Sequence, residues 1–228
     1  MFIIAPSVHM GNTHLMRSPR LAFVDDRSYI EGMARPRRSG DTRQLLVEEG
    51  AAGFLAQGYH GTGIKQVLDK VGVPKGSFYN YFDSKESFGR AVIEHHSLCV
   101  QRNLSEAFGA AADPVSGLRA FFGRLMEEFV EAEFTGGCLI ANLGGELEGS
   151  ELLRESLSSA WGMWRDRVAE QLREAQGLGM IRGDIDATDL ADLLLESWEG
   201  AVIRMKIDRT LAPLNKCLDR LLGDYFLP

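Results

Sequence analysis

The sequence predicts an all-α protein, a small three-helix N-terminal domain followed by a larger helical body. Two observations carry this. From Asp41 onward apolar residues recur at spacings of three and four with no strand-like alternation. Glycine or proline punctuates several of the boundaries, at Gly58, Gly72, Pro74, Gly136-Gly137, Gly177 and Gly179.

The elements follow in chain order. Helix one covers about Thr42 to Gln57, with Leu45, Leu46, Ala52, Phe54 and Leu55 among its apolar positions and Gly58 as a left-handed stop. Thr62 caps a second, Gly63 to Val71, which buries Ile64, Val67, Leu68 and Val71. Gly72 makes a tight turn, and Pro74 opens a third helix ending near Phe82, at the position where its missing N–H costs nothing. Asp83 or Ser84 caps a fourth helix from Lys85 past His96. Further helices are expected over Gln101–Ala112, Pro114–Glu133, Glu151–Ala175, Ala187–Ile207 and Leu211–Phe226, with a short apolar segment Cys138–Leu147 after Gly136-Gly137. Residues 1–32 show no sustained period and no caps; they read as a disordered tail or a mis-assigned start, with Met33 as an alternative first residue.

Composition narrows the class. A content of 45% hydrophobic and 25% charged residues is that of a soluble globular chain. No apolar run approaches the ~20 residues needed to span a bilayer, and the N-terminus lacks a secretory h-region, so a cytoplasmic setting is expected. Cys99, Cys138 and Cys217 are widely spaced and odd in number, which indicates neither a disulfide framework nor a metal site. No cofactor is expected. The net charge of -7 is unevenly spread: residues 33–90 carry nine Lys/Arg against six Asp/Glu, and residues 91–228 carry 13 against 23. A basic N-terminal segment is joined to an acidic body. Charges beyond the Debye length of ~8 Å do not reach the phosphates, so the segment's own charge is what matters for nucleic acid.

Two short helices joined by a glycine turn have the dimensions of a helix-turn-helix. In the second, Phe78 and Phe82 share a face and read as core. Lys75 and Tyr79 form another pair four apart, and Gly76, Tyr79 and Asn80 group on the outer side. A helix N-terminus without a side chain at Gly76 can approach a groove closely, with the positive dipole end toward phosphate.

The stretch Thr42 to Phe88 resembles the DNA-binding domain of the TetR family of bacterial repressors. The residues that carry it are Phe54, Gly58-Tyr59, Thr62, Ile64, Val67, Gly72-Val73, Lys75-Gly76-Ser77-Phe78-Tyr79, Tyr81-Phe82 and Lys85-Glu86. Gly63, where Ser or Thr is usual, and Asn80, where His is frequent, depart from the pattern. The resemblance implies a helix-turn-helix DNA-binding domain over residues 33–86 and a ligand-binding and dimerisation domain over 87–228. It implies phosphate contacts from Thr62, Lys65, Ser77, Tyr79, Asn80 and Lys85, and base approach by Lys75 and Gly76. Arg35, Arg37 and Arg38 fit either a flexible basic arm reaching phosphates or the minor groove, or a solvated tail.

The body resembles a subgroup of the same family through Gly137-Cys138-Leu139-Ile140-Ala141-Asn142-Leu143-Gly144-Gly145-Glu146-Leu147 and Trp198 to Lys206. That subgroup includes regulators of acrylate metabolism and of the N-ethylmaleimide reductase system. The implied partners are a palindromic double-stranded DNA operator, a small electrophilic or acyl effector, and a second copy of the chain. The Leu-rich segment 187–226 is expected to exceed what one exposed face needs, and so to require a symmetric partner.

Candidate effector residues are Cys138, Asn142, Glu146, Phe122, Met126, Trp161 and Trp198. Cys138 begins a helix, where a dipole favours thiolate; the opposing reading is a small buried hydrophobe with no cation nearby. Asn142 and Glu146 share a face, as pocket groups or as a capped surface. Phe122 and Met126 read as core or as pocket wall, and Trp161, Trp164 and Trp198 as a cavity lining or an interface. Glu127, Glu128, Glu131 and Glu133 read as a solvated acidic face. His95 and His96 point apart on a helix, against metal binding. No nucleophile–base pair or phosphate loop is present, so an enzyme is not expected; repression, activation and a non-DNA-binding interaction module of the same fold are all open at this level.

Overall fold

The structure, a computed structural model, describes residues 39–146 and 149–228. The expectations for the tail, for Met33 and for Arg35, Arg37 and Arg38 lie outside the described residues, as does the end of the Cys138–Leu147 segment. Eight α-helices make up the described fold: α1 Ser39–Gly61, α2 Ile64–Val71, α3 Lys85–Ala110, α4 Pro114–Glu131, α5 Leu139–Gly144, α6 Glu151–Gly177, α7 Ala187–Asp208 and α8 Ala212–Arg220. A 3-10 turn, Lys75–Asn80, stands between α2 and α3, and a π-helical turn, Leu221–Tyr225, follows α8.

Several boundaries differ from expectation, each for a local reason. The first helix begins at Ser39 and continues past Gly58 to Gly61, but Gly58 breaks its helical geometry at φ 73°, ψ 176°. That is the extended positive-φ region, open essentially only to glycine, and not the left-handed stop that was expected. The stretch opened by Pro74 is a 3-10 turn; its six residues close i→i+3 bonds such as Ser77 N to Pro74 O (2.9 Å). The two helices expected over 85–112 are one helix of 26 residues, about 39 Å long at 1.5 Å per residue. Ser84, not Asp83, caps it: its side chain accepts from Ser87 N (3.0 Å), and the Ser87 hydroxyl accepts from Ser84 N (3.0 Å).

Two apolar cores form. The N-terminal core gathers Leu46, Phe54, Leu68, Phe78, Phe82 and Phe88 with Leu139, Ile140 and Leu143 of α5 and Leu153, Leu157 and Ala160 of α6. The body core gathers Leu104, Leu118, Phe121, Phe122, Trp164, Leu190, Leu194, Trp198, Leu218 and Phe226, among others. Chain order and core membership therefore part company: α5 and the first half of α6 lie beyond residue 86 yet pack with the N-terminal helices. Helix α3 starts in one core and ends in the other.

The Leu-rich segment is not left for a partner to cover. Leu190, Leu194, Leu195, Trp198, Val202, Leu214, Leu218, Leu222 and Phe226 are all buried within the single chain. Packing of α7 against α6 and α8 uses the second apolar face that the sequence made conspicuous. What stays outside on α7 is Leu193, Ile203 and Ile207, which with exposed Gly200 share one face.

Candidate nucleic-acid interface and effector site

The N-terminal surface is built on an aromatic cluster. Phe88 of α3 contacts Phe54, Phe78 and Phe82 with ring centroids 5.8, 5.7 and 4.9 Å apart. These edge-on packings pin the 3-10 turn from behind. With Phe78 and Phe82 buried, Lys75, Gly76, Tyr79 and Asn80 face outward, and Tyr79 is 71% exposed. No atom lies within 4 Å of a Cβ built on Gly76, so the close-approach face is open. Lys65 on α2 is also exposed, in a long i,i+4 ion pair with Asp69 (3.8 Å), and Ser77 is half-buried.

Two expected phosphate residues are placed differently. Thr62 is 2% exposed and makes no cap; Gly63 takes the N-cap position of α2. The Thr62 hydroxyl instead donates to Gly58 O (2.8 Å), a carbonyl that also accepts from Thr62 N (3.2 Å). Lys85 lies over the Tyr59 ring, 4.6 Å from its centroid. Burial holds its ammonium below the usual lysine range, and Glu146 acts against that.

Glu146 explains the attraction. It does not face the body: its Oε2 accepts from His60 N (3.3 Å), and His60 Nε2 donates to its main-chain oxygen (2.9 Å). The expectation that it lines an effector pocket is therefore corrected; it joins α5 to the end of α1. Phe122 and Trp198 are core, their rings 4.5 Å apart inside the body. Met126 faces an open groove of about 500 Å³ between α4 and the start of α8, lined also by Gly123, Glu127, Val130, Glu131, Leu211 and Asn215.

Cys138 is the N-cap of α5, and it packs, as Trp161 does, against both cores. Beside it Asn142 Nδ2 donates to Gly136 O (3.2 Å) and Asn142 Oδ1 accepts from Lys206 Nζ (3.2 Å). A cation is thus close by, reached through the fold and not through sequence spacing. The thiolate expected of Cys138 is not favoured. Burial pushes the thiol well above its ordinary range, and the Glu199 carboxylate adds to the shift, outweighing the backbone N–H groups of Ala141 and Ile140. A six-residue helix supplies too little dipole to reverse that. Glu199 itself is pushed up to about 7 by burial, against the lowering pull of Cys138 and Lys206.

Glu199 is the residue the sequence reading missed. Its Oε1 and the Trp164 indole Nε1 are buried without a hydrogen-bond partner. Orphaned buried polar atoms are uncommon in folded proteins. Nothing in the spacing of Cys138 and Glu199 could have joined them. The acidic face is likewise not wholly solvated: Glu128 is partly buried, and burial first, then Glu131, push it up to about 7. His96 is buried, while His95 Nδ1 accepts from Gln44 (3.3 Å), so the pair points apart. Among the described residues no helix is long and apolar enough to cross a membrane.

A helical chain with an outward basic turn on an aromatic core, and a polar cluster buried where its two cores meet, has the form of a ligand-responsive regulator. Residues 46–92 match the family described as bacterial regulatory proteins, tetR family, and residues 114–221 match the tetracyclin repressor-like C-terminal domain. The transcriptional repressor DhaR of Mycobacterium sp. strain GP1 is 38% identical over 77% of this chain and 88% of its own. The transcriptional regulator AcuR of Cereibacter sphaeroides is 35% identical over 85% of this chain and 90% of its own. The crystal structure of reduced Escherichia coli NemR superposes with a TM-score of 0.75 at 28% identity, over 80% of this chain and 96% of its own. The chain belongs to the TetR family of transcriptional regulators.

Proposed function

We propose that the chain is a transcriptional repressor that binds a palindromic operator as a homodimer and is released by a small electrophilic or acyl effector. The observation that carries the DNA-binding part is the 3-10 turn, whose buried Phe78 leaves Lys75, Gly76, Tyr79 and Asn80 facing outward. Lys75 and Gly76 are assigned to bases, and Tyr79, Asn80, Ser77, Lys65 and Lys85 to phosphates. Thr62 is reassigned to the α1 break it bonds. Two relatives, DhaR and NemR, carry the name repressor. Homodimerisation is assigned to the outer face of α7, where Leu193, Ile203 and Ile207 stand exposed around Gly200.

The effector site is assigned to the junction of the two cores, around Cys138, Asn142, Trp161 and Glu199. Its support is the pair of orphaned polar atoms, Glu199 Oε1 and Trp164 Nε1, together with the contact of Cys138 and Trp161 with both cores. A gel shift on the DNA upstream of the gene tests the whole reading. Acrylates, maleimides, aldehydes and acyl-CoA compounds are added in turn. A shift by the protein alone that one of these classes abolishes is the expected result. No shift on that DNA at low salt defeats the repressor reading. Cys138→Ser then separates thiol addition, lost in the variant, from non-covalent binding, which the variant retains.

A further inference from the structure

The break at Gly58 is held from two sides by parts of the chain remote in sequence. On one side Thr62 N (3.2 Å) and its hydroxyl (2.8 Å) both donate to Gly58 O. On the other the Glu146 carboxylate occupies the space a side chain would need: a Cβ on Gly58 would lie 2.0 Å from Glu146 Oε1. His60 adds two hydrogen bonds to the same residue, through its own N–H and its ring. Next to the break, Tyr59 carries Lys85 on its ring, in the field of Glu146.

Glu146 lies just beyond the end of the short helix whose N-cap is Cys138. Leu139, Ile140 and Leu143 of that helix are buried in the N-terminal core, so α5 is a single packed turn and a half with no slack between its ends. Glu146 N donates to Leu143 O (2.9 Å), so the path from Cys138 to the carboxylate that fills the Gly58 slot is short and packed. The slot is discrete, since nothing but the absent side chain makes room for Glu146.

We propose that Glu146 is the residue through which the Cys138 site and the DNA-binding turn sense each other, as a clasp on the Gly58–His60 break. The proposal rests on the reading of the Cys138 cluster as the effector site. Displacing the clasp releases the end of α1 and takes a carboxylate away from Lys85, which is then presented differently to phosphate.

The test uses full-length protein, the upstream DNA duplex and N-ethylmaleimide as probe. Glu146→Ala removes the clasp, and Glu146→Gln keeps its volume and an acceptor oxygen while removing the charge. Thermal unfolding followed by circular dichroism checks that both variants fold. In Glu146→Ala the His60 amide should exchange with solvent faster than in wild type. The ratio of DNA dissociation constants with and without N-ethylmaleimide should fall at least ~5-fold, the lower end of ordinary coupling, while labelling of Cys138 is unchanged. Glu146→Gln should lie between. An unchanged ratio together with unchanged His60 exchange overturns the clasp. Should N-ethylmaleimide fail to release wild type, it is the Cys138 reading that falls. The clasp is then judged by whether DNA alters His60 exchange in wild type but not in Glu146→Ala, and equal behaviour of the two overturns it.

Discussion

Gly50 and Phe88 meet so closely that a Cβ on Gly50 would lie 2.3 Å from Phe88 Cζ and 2.9 Å from Val92 Cγ2. The contact sets how near α1 comes to α3, and with it the position of the ring that backs the 3-10 turn. Gly50→Ala should destabilise the N-terminal core by about 1–3 kcal/mol through overpacking, although alanine is the better helix former. Phe88→Ala should cost about 3–5 kcal/mol and abolish specific DNA binding. Urea unfolding followed by tryptophan-independent circular dichroism measures both. A Gly50→Ala protein as stable as wild type would show that the helices separate freely there.

The exposed and the buried members of the expected DNA surface should behave differently. Lys75→Ala should cost about 1–3 kcal/mol of discrimination if the ammonium reads a base. Tyr79→Phe should weaken binding to all duplexes alike, because a phosphate donor carries no sequence information. Thr62→Ala should leave the salt dependence of binding unchanged and lower stability by about 0.5–1.5 kcal/mol, the net worth of one hydrogen bond, since Gly58 O keeps the main-chain N–H of residue 62. Fluorescence anisotropy over a salt series distinguishes them; a reduced salt slope for Thr62→Ala would return that residue to the interface.

Burial, and the neighbouring His95, hold the His96 imidazole down to about 4 from its ordinary value of 6.5. Between those values the unfolded chain takes up a proton that the native chain refuses. Stability contributed by the neutral ring is therefore full above pH 6.5 and is lost as pH falls toward 4. By about pH 5 the loss should approach 2 kcal/mol, at 1.36 kcal/mol per pKa unit. His96→Gln should flatten this acid limb in chemical denaturation at a series of pH values. An acid limb as steep as that of wild type would assign it to other groups.

Glu199 should govern the reactivity of Cys138. Burial and the Glu199 carboxylate both hold the thiol protonated, and Glu199→Gln removes the second cause. The variant should label faster with N-ethylmaleimide at neutral pH, by roughly tenfold for each pKa unit released. Mass spectrometry of the modified peptide reads the rate. Slower labelling would mean that Glu199 accepts the thiol proton during the reaction, the opposite role.

The sequence by itself determined the helical class, the order of the elements to within a few residues, and the division of the second short element into Phe78 and Phe82 within and Lys75, Gly76, Tyr79 and Asn80 without. These rest on periodicity and on glycine and proline punctuation, which are local properties of the chain. The nature of that element was not legible: six residues bonded i→i+3 and six bonded i→i+4 bury nearly the same positions. Tertiary structure alone decided the rest. The apolar residues of 187–226 looked like an interface because a single helix cannot reveal how many of its faces are covered; packing against α6 covered them within the chain. Thr62 turned from cap to buried donor because its side chain packs inward, where its hydroxyl reaches Gly58 O one turn back. Cys138 met Glu199, with Lys206 close by on the same helix, and Glu146 met Gly58, across 61 or more residues of chain. Spacing carries no information about such pairs, because their proximity is set by how α5 is wedged between two cores.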